Sequence, residues 1–522
     1  NDYMDTLIQN CMIYDGTGNP AFRGSVGFSR GVMRVFRGND VPQSKNIIDA
    51  GGLALVPGFI DAHSHGDLTL VSPYATLSKL SQGITTQIAG QCGVSLFPFG
   101  GAGETPFTRF VSGIAPYPDL PESLSQLESA AGFYGWLESL NNPITTKCFV
   151  GHGALRLWAM GYENRKPDAG EIDRMKAMLR RSIREGALGL STGQVYAPSC
   201  YADNDEILAL LRVVHEEGGV YANHPRNEGD RVVEARAETM RLAMEADVPI
   251  CVSHLKAAGR QNWGKPKTML EALDRAVEQG LRAIIDCYPY TAGCTSLNVS
   301  IPPRYFTSGM SGLLRALQDP HEREIIREEM SRISDYDNYV YNSGGFSGVY
   351  VSSCPVDHRA EGMFISEYAK ETGMDPFDAF CDILIRNNGL GLGIYFHMSE
   401  DDMTQILSHP LCVLGTDGLI GKSTENPHPR AFGSTARAYD LLVREKKLVT
   451  PEAMIHKTSG QAADFLGLTA KGRIADGADA DALLLDLNAF RDTATYQNGT
   501  APTQGIRRIF IGGREIALPT VK

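Results

Sequence analysis

The chain alternates in character along much of its length. Short apolar stretches, rich in β-branched residues or bounded by glycine, recur and end in polar residues. The series runs GFIDAHSH (58–65), TTQIAGQCG (85–93), KCFVGHGALR (147–156) and GALGLSTG (186–193). It continues with GGVYANHPR (218–226), VPICVSHLK (248–256), RAIIDCYPY (282–290) and CVLGTDG (412–418). Between most of them lie charged, helix-compatible stretches, such as DAGEIDRMKAMLRRSIREG and RVVEARAETMRLAMEAD. Short apolar runs bounded by turn residues read as buried strands, and their alternation with helices reads as parallel βαβ units. The eight units in series, strands 1 to 8 below, predict an α/β fold of the (β/α)8 TIM-type barrel kind. A doubly wound open sheet is the competing arrangement.

Two parts break the alternation. The ends read as short strands with turns: DTLIQNCMIYDGTG, GSVGFSRGVMRVF and KNIIDAGGLALVPG near the start, GRIADGADADALLLDL and GIRRIFIGGREI near the finish. We expect residues 1–56 and 468–522 to form one small β-sandwich domain built from both termini, beside a barrel spanning 57–467. The connection after strand 7 is much longer than an ordinary βα loop. The insertion, placed at 293–350, is expected to be a lid over the site.

Composition narrows the classes. Of 522 residues, 43% are hydrophobic and 21% charged, which suits a globular chain with a large core. A net charge of -12 argues against nucleic acid as a partner, because phosphate binding needs a basic face. No apolar run approaches the roughly 20 residues of a membrane helix. The opening NDYMDTLIQN lacks a basic stretch followed by an apolar one, so no signal peptide is expected. The ten cysteines are scattered without a CxxC pair, which fits reduced thiols and a cytoplasmic location.

The candidate chemistry sits at strand ends. His63 and His65 form an H-x-H, and alternate residues of a strand face one way. Alone, two polar residues closing a strand would explain them. Yet His224 ends strand 5, His254 ends strand 6 and Asp417 ends strand 8, where barrel enzymes carry their functional groups. With only 12 histidines in the chain, four at such tips are a poor match to chance. Together they are a plausible set of nitrogen and oxygen metal ligands. Cys92, ending strand 2 in AGQCGVS, adds a thiolate donor.

PGFIDAHSH with later single histidines, a late TDG and a β domain from both ends resembles the metal-dependent amidohydrolase superfamily. The strand 2 cysteine, and the absence of lysine from GALGLSTG in strand 4, narrow the resemblance to the D-aminoacylase (N-acyl-D-amino-acid deacylase) family. VGHGALR, GALGLSTGQVYAPS, SHLKAAG, DCYPYTAG, MSEDDM and PHPRAFG look similar as well. The resemblance implies a tightly held Zn2+ on Cys92, His224 and His254, and a weaker second position near His63 and His65. It implies Asp417 as proton carrier in amide hydrolysis. It also implies a clamp for the substrate carboxylate made by Lys256, Arg430, Tyr196 and Tyr288. The expected partner is a small N-acyl-D-amino acid or a D-dipeptide, with no nucleic acid or membrane. Oligomeric state is not legible.

Three features depart from the family pattern. Cys294 stands where a carboxylate-binding serine is usual, Pro225 follows His224, and the loop from Asp417 to Arg430 is slightly long. Rival readings are a dipeptidase cutting before a C-terminal D-residue, a deaminase of cyclic amidines, and a non-catalytic assembly protein on the same barrel. The clamp residues count against a neutral ring substrate. The retained ligands count against a non-catalytic relative.

Overall fold

All eight segments are strands in the computed structural model, which describes residues 3–101, 104–116, 118–420 and 426–521. They are Phe59–Asp61, Ile84–Ala89, Thr145–Cys148 with Val150–Gly151, Gly189–Gly193, Val220–His224, Ile250–Val252, Ala283–Cys287 and Cys412–Leu414. Each pairs in parallel with the next, and strand 7 does so with strand 8 although a long insertion separates them in sequence. The third strand is split: Thr145–Cys148 pairs with strand 2 and Val150–Gly151 with strand 4. The last strand meets the first. Ala62 N donates to Leu414 O (3.1 Å), and Asp417 N donates to His63 O (2.7 Å).

These strands are apolar on both faces because both are covered. Ile60, Ile88, Ala222, Cys251, Ile284 and Val413, each from a different strand, pack together with Phe149, which lies between the halves of the third strand. The outer faces meet helices such as Ala169–Arg184 and Asn204–Glu216, whose Met175, Leu179, Ile207 and Leu211 join the main core with Leu190 and Tyr221. The first of these helices starts on a capping box written in the sequence as DAGE. Glu171 N donates to Asp168 Oδ1 (2.8 Å), and Asp168 N donates to Glu171 Oε1 (2.9 Å). Such a cap stabilises a helix by about 1 kcal/mol.

The two ends of the chain share one eight-stranded sheet. Met4–Ile13 pairs antiparallel with Phe22–Ser29 and parallel with both Ser44–Asp49 and Ala54–Pro57. Ala54–Pro57 then pairs antiparallel with Ala482–Leu485, which carries Ile506–Ile511 on its other edge. Ile8, Val26, Phe28, Leu55, Leu484 and Phe510 form a separate apolar cluster there.

Between strands 7 and 8 lies a three-stranded antiparallel sheet. Its central strand, Leu392–Phe396, pairs with Ala292–Ser296 and Val349–Ser353, so this layer reaches past residue 350. Leu317, Ile326, Val351, Phe380 and Tyr395 give it a core of its own. Residues 421–425 of the loop from Asp417 to Arg430 lie outside the described residues. No described helix is long and apolar enough to cross a membrane.

Candidate metal centre

The strand tips open on a cleft of about 520 Å³, lined among others by His65, Cys92, His224, His254, Lys256 and Asp417. Three of the lining residues have left-handed backbones: Cys92 (φ 58), His254 (φ 33) and Asp417 (φ 50). Such conformations cost of order 1–3 kcal/mol each outside glycine and gather at functional sites. The turn at Cys92 fits because Gly193 faces it. A Cβ at Gly193 would lie 1.9 Å from the Cys92 carbonyl oxygen.

The five candidate ligands and Asp417 come together. Cys92 Sγ lies 3.5 Å from His63 Nε2 and 3.5 Å from His254 Nε2. His254 Nε2 lies 3.0 Å from His224 Nδ1. Asp417 Oδ1 stands 3.3 Å from His63 Nε2 and 3.1 Å from His65 Nε2. Three overlapping groups have donor atoms within 4.8 Å of one another: His63 with Cys92 and His254, His63 with His65 and Asp417, and His224 with Glu228 and His254. The expected set of Cys92, His224 and His254 draws on the first and third. Thiolate, imidazole and carboxylate in this number suit a zinc ion, so the residues present fit the metal that the sequence implies. Strand 4, Gly189–Gly193, brings no lysine.

The charges are mutually arranged. Burial pushes the Cys92 thiol up, but the charges of His63 and His254 outweigh it and hold the thiol well below its usual range. Burial acts the same way on Asp417, and the Arg430 guanidinium and His63 hold that carboxyl well below normal. Arg430 Nη2 lies 3.4 Å from Asp417 Oδ2.

The four clamp candidates all line the same cleft. Tyr288 places its ring between two cations, 4.5 Å from the Arg430 guanidinium carbon and 5.4 Å from Lys256 Nζ. Tyr196 rests edge-on against His224 at 5.2 Å, and its hydroxyl bonds Thr295 Oγ1 at 2.7 Å. Cys294 also lines the cleft, and its carbonyl accepts from Arg430 Nη2 at 3.1 Å.

Three buried groups escaped the sequence reading. Glu228 is the hub of the His224 side. Its Oε1 lies 3.2 Å from His224 Nε2 and accepts from Tyr339 Oη at 3.2 Å. Its Oε2 lies 3.0 Å from His254 Nδ1 and 3.1 Å from Lys256 Nζ. Burial raises the Glu228 carboxyl, yet Lys256 and the two histidines hold it well below normal. Asp286 does the equivalent for His63, 3.2 Å from Nδ1, and also accepts from His254 N at 2.7 Å. His397 is the third. Burial first, then Lys256, pushes its imidazole down to about 3, so it is neutral. The spacing H-x-x-x-E in HPRNE and the aspartate at the tip of IIDC were available signals. His397 gave none, because its strand lies in the insertion.

A split parallel sheet with imidazoles, a thiol and an aspartate at its carboxyl ends defines a metal-assisted hydrolase of the amidohydrolase class. Amidohydrolase family models match residues 46–284 and 402–516. The chain belongs to the D-aminoacylase (N-acyl-D-amino-acid deacylase) family of that superfamily. It is 31% identical to the N-acyl-D-aspartate deacylase of Alcaligenes xylosoxydans xylosoxydans, over 98% of this chain and 92% of the relative. Its structure is similar to that of the N-acyl-D-glutamate deacylase of Bordetella bronchiseptica, solved with zinc and a phosphonate inhibitor that mimics the tetrahedral intermediate. The TM-score is 0.81 at 29% identity, covering 98% of this chain and 96% of that one. A D-aminoacylase structure is similar too, with a TM-score of 0.80, 27% identity and coverage of 98% and 96%. Its binuclear metal centre is described as activated by one metal and attenuated by the second.

Proposed function

We propose that this protein is a zinc-dependent hydrolase of the amide bond of N-acyl-D-amino acids, releasing a carboxylate and a free D-amino acid. The observation that carries this is the clustering of Cys92, His224, His254, His63, His65 and Asp417 beside a cationic corner made by Lys256 and Arg430. The near full-length likeness to deacylases of this substrate class supports it. The scaffold we infer is a (β/α)8 barrel over 57–467, supported by the contact of the last strand with the first. Residues 1–56 and 468–522 form a small β domain in this reading, supported by their shared sheet, and 293–350 contributes to a lid.

Bound zinc supplies Lewis acidity toward the acyl carbonyl and makes water a nucleophile near neutral pH. Asp417 Oδ1 would accept a proton from the attacking water as the new C–O bond forms. It returns the proton to the nitrogen as the C–N bond breaks. Lys256, Arg430, Tyr288 and Tyr196 hold the substrate by its carboxylate, which fixes the amide against the attacking side. Cys92, His224 and His254 would hold the tighter zinc, and His63 and His65 the weaker one.

Glu228 orients both later histidines through their outer nitrogens and so sets their metal-facing atoms. Glu228→Gln is expected to weaken zinc binding by about 10–100-fold, the usual cost of losing an outer-shell carboxylate. Competition against a chelator of known affinity reads this directly, and unchanged affinity would remove Glu228 from the role.

The space next to the clamp that could take the side chain of the D-residue is mostly apolar. Among the described residues lining the cleft, the lysine and arginine are already opposed by Glu228 and Asp417. A neighbouring cavity, which shares Ile114 and Tyr196 with the cleft, is lined chiefly by apolar residues such as Phe110, Val195, Val299, Ile301 and Phe306, with the exposed Arg109 as its one charged residue among those described. N-acetyl-D-methionine or -leucine should therefore exceed N-acetyl-D-aspartate and -glutamate in kcat/KM by about 10-fold, since a carboxylate entering this mostly apolar space is desolvated and the exposed Arg109 offers only a solvent-screened ion pair in return. A D- and L-series of N-acyl amino acids, read by amine release, tests the function and this preference together. Turnover of the L-series alone would refute the first, and preferred hydrolysis of the acidic D-residues the second.

A further inference from the structure

The cationic corner of the cleft holds more unsatisfied donors than the clamp residues account for. Tyr288 Oη, both ring nitrogens of His397, and Arg430 Nε and Nη1 are buried without a hydrogen-bond partner. All three side chains are at most 4% exposed and line the cleft. Buried polar groups are normally paired, so orphans that converge on one cavity point to a ligand.

They do converge. A Cβ built on Gly293 would stand 3.3 Å from His397 Nε2 and 3.3 Å from Tyr288 Oη. The two atoms therefore face the same point above Gly293, which only a hydrogen leaves open. The Arg430 guanidinium lies over the Tyr288 ring at 4.5 Å and adds positive charge on that side.

His397 is also held rigidly for the task. Its ring stacks on Tyr395, with centroids 6.2 Å apart and planes at 21°, and meets the edge of Tyr339 at 5.8 Å. Its carbonyl accepts from Gly259 N at 2.8 Å and Trp263 Nε1 at 3.1 Å. A neutral imidazole can donate from Nε2, and a carboxylate presents about four acceptor positions.

We propose that His397 is a further donor to the α-carboxylate of the substrate, acting with Tyr288 and Arg430 over Gly293. The inference rests on the deacylase reading above and extends its clamp. It also answers the departure at Cys294. A thiol is a weak donor where the family usually carries a hydroxyl, and His397, just past the end of the neighbouring strand, lines the same cleft.

The test compares His397→Phe, which keeps the packing on Tyr395 and Tyr339, with His397→Gln, which keeps a neutral donor. The substrates are N-acetyl-D-methionine and its carboxamide, which lacks the anion. In His397→Phe, KM for the acid should rise about 10- to 100-fold, the worth of a hydrogen bond to a charged group, with kcat nearly unchanged. Kinetics on the carboxamide should barely move, zinc content should stay as in the wild type, and His397→Gln should recover much of the loss. Equal losses on both substrates, a fall in kcat alone, or an unchanged KM would overturn the proposal. Wild-type turnover across the N-acetyl-D-amino acids is the control: turnover of none of them sinks the deacylase reading and this inference with it, whereas normal turnover with an indifferent His397→Phe sinks the inference alone.

Discussion

Asp417→Asn should reduce kcat by at least about 100-fold and up to about 10,000-fold, the range that general acid–base catalysis contributes. The substitution changes charge and basicity but almost no volume. The carboxylate it removes is buried, and its Oδ1 lies within 3.3 Å of both His63 and His65. An amide oxygen there still accepts a hydrogen bond, but it takes no proton from water and returns none to a departing amine. The fold should hold, because Asp417 is fixed chiefly by its backbone: its N–H donates to His63 O at 2.7 Å. Zinc at the tighter position should also hold, since Asp417 is not among Cys92, His224 and His254. Activity is followed by amine release and metal by elemental analysis of the same preparation. Turnover near the wild-type rate in a zinc-replete variant would show that another group moves the proton.

The sequence made the outline of this site readable because strands advertise themselves twice. Their apolar runs mark where they lie, and their polar ends mark what they present. All of His63, Cys92, His224, His254 and Asp417 sit within a few residues of such an end, so position and residue type together singled them out. Glu228 and Asp286 were harder. They act through other side chains, and a carboxylate that orients an imidazole has the same composition signal as a solvated surface charge. Only burial and distance separate the two, and neither is visible in one sequence.

The insertion was least legible. Its central strand, Leu392–Phe396, pairs with Ala292–Ser296 from about a hundred residues upstream. Nothing in local periodicity announces so distant a partner, and His397 follows directly from it. The split in the third strand was hidden for a related reason. Thr145–Cys148 and Val150–Gly151 read as one strand, yet they pair with different neighbours on either side of Phe149, and Gly151 comes close to Gly93. A Cβ at Gly151 would lie 2.5 Å from the Gly93 carbonyl oxygen.

Cys92→Ala should remove the tightly held zinc and with it nearly all activity, while His63→Asn combined with His65→Asn should leave about one zinc bound. The two outcomes rank the metal positions. Cys92 Sγ is 3.5 Å from both His63 Nε2 and His254 Nε2, so the thiol stands between two imidazole groups. The His254 side is the better supported of the two. His224 adds a third donor there at 3.0 Å from His254, and a single buried carboxylate, Glu228, holds both outer nitrogens. The His63 side relies on Asp286 for one ring and leaves His65 Nδ1 without a partner. A ligand whose outer nitrogen is fixed loses less freedom on binding metal and is the stronger donor. Loss of Cys92 removes a soft ligand from either position, so its effect should exceed the about 10–100-fold expected for Glu228→Gln. If the double asparagine variant instead loses all its zinc while keeping its fold, then His63 and not His224 is the thiolate's partner. The H-x-H of PGFIDAHSH would in that case hold the essential metal rather than the looser one.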